Sequence, residues 1–464
     1  MNGKKYLIFT YGCQMNARDS ETIAGILNSL GYSATEREEE ADLILFNTCS
    51  VRENPERKIY GKVTQLRMLK EEKPELLIGI CGCMPQQEIE QERIREKHPE
   101  VDLVFGTHNI SRLPQLLEQA QDGRILEVWT EGRTEESLPA QREDDLKAFV
   151  NIMYGCNNFC SYCIVPYTRG RERSREPDAI LAEIQALADA GYKEITLLGQ
   201  NVNSYGRGLS QEIDFAQLLG LVGEIGGIER IRFTTSHPKD VSDRLIEALA
   251  TEPKLCEHLH LPLQAGSDRI LSAMNRGYTS AEYLELVARI RERIPHIALT
   301  TDLIVGFPTE SEEDFAQTLK MVEEVRYDSA FMFAYSPRVG TQAATLDGQV
   351  AAEVKKERLN ELIQLQNKIS GQVSHEYLGK TCEILVEGAS PKDPRALFGR
   401  TRTNRACIFP LPSGDPKSWR GRLVPVKITR ALTWTLHGVL EEETDAKTVP
   451  KGDQRSGHSG NGSL

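Results

Sequence analysis

The segment Asn151-Ile152-Met153-Tyr154-Gly155-Cys156-Asn157-Asn158-Phe159-Cys160-Ser161-Tyr162-Cys163 holds three cysteines in the pattern C-x3-C-x2-C, directly after a short apolar run. Three thiolates this close are not explained as inert core residues. Thiolates select zinc, copper(I) or iron–sulfur clusters, and close-spaced cysteines in a large chain mark such a site. Zinc and ordinary cluster sites take four protein ligands, and this run supplies three. A cubane [4Fe-4S] cluster held by three cysteines leaves one iron open to a cofactor or substrate. The competing arrangement is a zinc knuckle with a distant fourth ligand.

A second set of cysteines is spread wider. Three apolar runs, residues 6–10, 42–47 and 76–80, read as buried parallel strands, and helical segments such as 20–30 and 52–72 lie between them. Each run is followed within a few residues by a cysteine: Cys13, Cys49, and Cys81 or Cys83. Ligands of doubly wound sheets collect outside the carboxyl ends of the strands, so these cysteines are expected to converge on one crevice. Taken singly, each would be a small buried hydrophobe.

From residue 149 to 335, strand and helix patterns alternate. The expected strands are 149–153, 194–198, 231–235, 258–261, 297–304 and 329–335, which suggests a partial barrel of six parallel β/α units. Sites in such barrels lie at the C-terminal ends of the strands. Cys156, then Gly199-Gln200-Asn201, Ser236-His237, Gln264, Asp302 and Tyr335-Ser336 fall there in turn.

A helical run over 351–369 leads to a β-rich end piece with apolar alternations at 382–386, 406–409 and 423–428. Between residues 377 and 440 there are 11 Lys/Arg against 4 Asp/Glu, a local balance of +7 in a chain whose net charge is −12. A small basic β-barrel reads as a nucleic-acid module. Its expected phosphate contacts are Arg400, Arg402, Arg405, Arg422 and Lys427. The overall acidity does not argue against this, because charge is screened beyond roughly 8 Å. The tail, 442–464, is rich in Gly, Ser and charge with few apolar residues and is expected to be disordered. No apolar stretch approaches the roughly 20 residues of a membrane span, and the N-terminal apolar run is too short for a secretory signal. A cytoplasmic protein without a membrane partner is expected.

Cys156, Cys160 and Cys163, with Tyr162 as the aromatic before the last, resemble the signature of radical S-adenosylmethionine (SAM) enzymes, in which the open iron chelates SAM. Over roughly residues 4 to 440 the chain resembles the methylthiotransferases. The resemblance implies an α/β fold: a Rossmann-like N-terminal domain (1–120), a linker (121–147), a partial (β/α)6 radical SAM barrel (148–375) and a small β-barrel TRAM domain (376–441). It also implies a second [4Fe-4S] cluster on Cys13, Cys49 and Cys83. Cys83 is preferred over Cys81 because Gly82-Cys83-Met84-Pro85-Gln86 fits the family motif. Cys256, Cys382 and Cys407 match no family ligand and are expected in the core.

Within that family, Asn47-Thr48-Cys49-Ser50-Val51-Arg52-Glu53-Asn54 and the run from Tyr154 to Glu172 look like the branch that modifies isopentenylated adenosine in tRNA. By position, Tyr162, Gly199, Gln200, Asn201, Ser236, Gln264 and Asp302 would contact SAM. Arg169 and Arg171, in a basic run with Arg173 and Arg175, would hold the SAM carboxylate or tRNA phosphates. The implied partners are the tRNA anticodon loop and an unidentified low-potential electron donor, and a monomer is the expected state.

Overall fold

The computed structural model describes residues 3–50, 53–131, 136 and 138–441, with the side chains of 53–58 left aside. Val51, Arg52 and the expected disordered tail lie outside the described residues. The first part runs β1 (Lys5–Tyr11), α1 (Gln14–Ser29), β2 (Ser33–Ala34), β3 (Leu43–Thr48), α2 (Glu53–Glu72), β4 (Leu77–Gly82), α3 (Glu88–Lys97), β5 (Leu103–Phe105), α4 (Leu113–Gln119) and β6 (Ile125–Glu127). These strands form one parallel sheet in the order β2-β1-β3-β4-β5-β6. Every residue of β3 is buried, as a central strand covered on both faces requires. The strand order reverses between β1 and β3, which opens a crevice outside their carboxyl ends.

The sheet runs one strand past residue 120: residues 125–127, expected in a linker, pair with β5 as the outermost strand. Three residues give too short a period to be recognised, and pairing, not pattern, makes them a strand.

The second part comprises β7 (Lys147–Asn151), β8 (Met153–Tyr154), α5 (Val165–Thr168), β9 (Arg173–Ser174), α6 (Pro177–Asp189), β10 (Glu194–Leu198), α7 (Phe215–Gly223), β11 (Arg230–Phe233), α8 (Asp243–Thr251), β12 (His258–His260), α9 (Asp268–Ala273), α10 (Ser280–Arg293), β13 (Ala298–Val305), α11 (Glu312–Val325) and β14 (Ser329–Ala334). Its six principal strands are parallel and form two arcs, β11-β10-β7 and β12-β13-β14. A bridge between Ile231 and Leu255 links the arcs. One core runs through both, from Val150, Ile195 and Ile231 to Leu259, Leu299 and Val325. Among the described residues no strand joins β14 to β7, so the barrel is open along one seam.

α12 (Ala352–His375) packs on β14 and leads to β15 (Thr381–Ser390), β16 (Asp393–Thr401), β17 (Ala406–Pro410), β18 (Leu423–Ala431) and β19 (Thr435–Leu440), which close into a five-stranded barrel. β16 and β19 are additional to the three alternations seen in the sequence. The small barrel docks against the N-terminal ends of the larger barrel's strands, opposite the mouth. Arg230, fully buried at the start of β11, donates to the Arg400 carbonyl (2.7 Å), and Arg232 donates to those of Arg402 (2.7 Å) and Thr401 (2.9 Å).

Candidate active site

The strand-end cysteines gather where the first sheet reverses. Cys13 is the N-cap residue of α1. Cys49 follows β3 and Cys83 follows β4, both buried. Gly82 between them has φ +95°, and a Cβ there would stand 2.4 Å from Asn47 Oδ1 and 2.5 Å from the Thr48 carbonyl oxygen. Only glycine lets β4 end so close to β3. Two asparagines tie the strand ends together. Asn47 Nδ2 donates to the Asn16 carbonyl (2.8 Å), and Asn16 Nδ2 donates to Asn47 Oδ1 (3.1 Å). Asn16 Oδ1 in turn accepts from the Cys13 backbone N–H (3.3 Å) and thiol (3.4 Å).

Cys81 lies elsewhere, inside β4, packed in the core with Tyr6, Ile23 and Leu45. Burial pushes its thiol well above the usual range. Cys256 and Cys407 are buried, and Cys382 packs against the core of the small barrel.

Cys156, Cys160 and Cys163 occupy the loop between β8 and α5. Gly155 opens it at φ +75°, where a Cβ would meet the Arg171 carbonyl at 2.1 Å. The loop folds back on itself: the Cys156 N–H donates to the Gly170 carbonyl (3.2 Å) and the Cys163 N–H to that of Cys160 (2.9 Å). Ser161 anchors it to the end of α9 through its N–H to Met274 O (3.0 Å) and its hydroxyl to Ala273 O (2.7 Å). The three thiols share one field: burial first, then the Cys160 charge, pushes Cys163 up to about 12.

Each set has one buried arginine at a sulfur. Arg169 Nε donates to Cys83 Sγ (3.2 Å) and its Nη2 pairs with Asp19 Oδ2 on α1 (2.7 Å). Arg276 Nη1 donates to Cys160 Sγ (3.4 Å), while Nη2 reaches the Pro262 carbonyl (2.9 Å) and Nε the Tyr278 hydroxyl (3.0 Å). Both arginines are 4% exposed. The expectation that Arg169 meets RNA is therefore corrected, since its guanidinium is used up between Asp19 and Cys83. Arg175 is likewise internal, paired with Glu136 and Glu183 (2.7 Å each). Arg171 alone of that run is exposed, over the Phe159 ring at 4.4 Å.

Around the loop, Gln200 Oε1 accepts from the Gly155 N–H, and Gly199 packs against Met153 where a side chain would clash. Asn201 Nδ2 donates to Asp240 (2.8 Å). Gln264, at φ +73°, spans β13 through its N–H to Asp302 O and its carbonyl to Ile304 N–H, each 2.8 Å. Asn201 Oδ1, Ser236 Oγ and His237 Nε2 are buried without a partner among the described residues. Burial, then Arg276, lowers His237 to about 2, so it is neutral. Unmet buried polar atoms are costly. Three of them beside the cysteine loop fit a polar cofactor with amino, carboxylate and ribose groups, as SAM has. Among the described residues no group of three or more His, Cys, Asp or Glu gathers round one point as ligands of a single metal ion do. In a four-iron cubane each cysteine holds a different iron.

Two further RNA expectations are corrected. Arg402 forms a bidentate pair with Glu257 (2.8 Å), and Arg405, 8% exposed, pairs with Asp328 (2.9 Å). The larger barrel's carboxylates take up these charges at the docking interface. Arg400 is half-buried beside Glu387 (3.3 Å), while Arg422 and Lys427 are exposed.

A three-cysteine loop at the mouth of an open parallel barrel defines the radical SAM class. Residues 150–322 match the model of the radical SAM superfamily, 375–440 that of the TRAM domain, and 5–106 that of the uncharacterized protein family UPF0004. The chain is 55% identical over 443 residues to a tRNA-2-methylthio-N(6)-dimethylallyladenosine synthase of Alkaliphilus oremlandii, covering 95% of this chain and 93% of that one. It is 56% identical over 442 residues to the protein of that name from Syntrophomonas wolfei, covering 95% and 98%. The chain belongs to this synthase family. Among solved structures, the radical SAM methyltransferase TsrM of Kitasatospora setae, with cobalamin and a [4Fe-4S] cluster bound, shares the fold at a TM-score of 0.54 and 14% identity, covering 74% of this chain and 77% of that one.

Proposed function

We propose that this chain is a radical SAM methylthiotransferase that converts N(6)-isopentenyladenosine, beside the 3′ end of the tRNA anticodon, to its 2-methylthio derivative with two SAM molecules and two [4Fe-4S] clusters. The observation that carries this reading is the joint between the cysteine sets: Arg169, in the segment leaving the cysteine loop, donates to Cys83. The two sets therefore border one mouth. Carbon 2 of adenine has neither a leaving group nor an acidic proton, so general acid–base groups have no handle on it. When bound, the loop cluster with SAM supplies radical hydrogen abstraction and the strand-end cluster supplies the methylated sulfur.

The protein's part is holding and orienting. Cys156, Cys160 and Cys163 would hold one cluster with an iron left open, and Cys13, Cys49 and Cys83 the other. Tyr162, Gly199, Gln200, Asn201, Ser236 and Gln264 would seat SAM. Arg171, Arg400, Arg422 and Lys427 remain to meet phosphates. No helix of the described residues is long and apolar enough to cross a membrane; a cytoplasmic monomer served by a low-potential electron donor completes the reading. Mass spectrometry of nucleosides from tRNA tests it. Anaerobically reconstituted protein, given SAM, reductant and tRNA bearing isopentenyladenosine, is expected to yield 2-methylthio-isopentenyladenosine. SAM cleavage without that nucleoside would leave radical chemistry standing and sink the substrate.

A further inference from the structure

Inside the open barrel one face of the second arc is uncovered. Partners in a parallel pair share a face, and Asp302 pairs with Phe331 and Ile304 with Phe333. The alternate residues Ala330 and Met332 pack outward on the main core, which includes Leu362 and Ile369 of α12. Phe331 and Phe333 therefore turn inward, yet they are 57% and 38% exposed. They line the open seam, because β14 has no neighbouring strand on its far side among the described residues. The His260 ring meets Phe331 edge to face with centroids 6.0 Å apart, and His260 Nε2 stands 3.4 Å from Asp302 Oδ2. The strip leads to the cysteine loop, since Ile304 and Tyr162 both pack against the cluster of Phe307 and Tyr335.

We propose that Phe331 and Phe333, with His260 and Asp302 beside them, form the stacking platform for the unstacked, prenylated purine base. The inference rests on the function proposed above and deepens it by assigning a substrate subsite. Two large exposed rings two residues apart on one strand face are an apolar surface awaiting a cover. Splayed bases of RNA loops stack on such rings, and a prenyl group extends the apolar contact. His260, held between Thr300 (2.9 Å) and Asp302 (3.4 Å), fixes the carboxylate, whose oxygens offer acceptors to the base edge. Asp302 then serves the substrate, not SAM.

Anisotropy titration of the reconstituted holoenzyme with two anticodon stem-loop RNAs tests this. One carries the prenylated adenosine and the other an abasic site at that position. Wild type is expected to prefer the base-bearing RNA. Phe331→Ala and Phe333→Ala each lose about tenfold of that preference, with affinity for the abasic RNA kept, and Phe331→Trp retains the preference. The rings are exposed, so truncation leaves no core cavity. No preference in wild type, an unchanged preference in both alanine variants, or equal losses for both RNAs overturns the platform. The product assay separates the two readings: wild type that forms the methylthio nucleoside while the alanine variants keep their preference sinks the platform alone.

Discussion

The two cysteine sets are built in opposite ways. Cys156, Cys160 and Cys163 lie in one loop, shaped by its own backbone hydrogen bonds and pinned at its rim by Ser161. Cys13, Cys49 and Cys83 come from three strand ends, positioned by the parallel register of β1, β3 and β4 and by the Asn16–Asn47 pair. The loop can be disturbed locally. The strand-end set is tied to the sheet as a whole.

Replacing single sulfurs separates the two sets most sharply. Cys160→Ala is expected to abolish both SAM cleavage and product. Cys83→Ala should keep SAM cleavage and lose product, measured as 5′-deoxyadenosine and methylthio nucleoside in one reaction. If both variants cleave SAM equally, the division of labour is wrong. Arg169→Gln attacks the joint itself. It strands the buried Asp19 carboxylate, and unpairing a buried charge costs about 3–5 kcal/mol, to be read from the urea unfolding midpoint.

Glycine substitutions should act on one set at a time. Gly82→Ala forces a Cβ against Asn47 and Thr48, and Gly155→Ala forces one against Arg171. Each is expected to cost more than about 1 kcal/mol and to lower iron content at its own site only, with the other cluster's absorbance retained. On the RNA side, Lys427→Ala should reduce the salt dependence of tRNA binding by about one ion. Arg402→Ala should leave that slope unchanged, because its charge already belongs to Glu257.

The smallest effect is on pH. Burial, then Arg173 and Arg169, lowers His108 to about 4; burial, then Arg232, lowers His258 to about 3. Both are neutral in the fold, whereas the unfolded chain takes up protons near 6.5. Stability is therefore full above about pH 6.5 and falls as the pH drops toward 4. Unfolding midpoints across that range should show a shallower decline in His258→Asn.

The cysteine loop was legible because its spacing is local, and the strand-end set because each member follows an apolar run. Charges were less legible. Arg169, Arg402 and Arg405 look identical in sequence to Arg171 and Lys427, and only distant carboxylates at Asp19, Glu257 and Asp328 distinguish them. Arg276 was missed for the same reason: its sulfur partner, Cys160, is far away in the chain. Phe331 and Phe333 read as ordinary strand aromatics, because an open seam leaves no mark on the pattern of the strand beside it.

The docking of the small barrel has a metric consequence. Arg230 and Arg232 bolt it to the far end of the larger barrel, the length of the four-residue β11, about 13 Å, from the mouth. On the proposed function, a tRNA held there by Arg422 and Lys427 would be kept at a set reach from the chemistry, and the assembly would act as a calliper on the folded RNA.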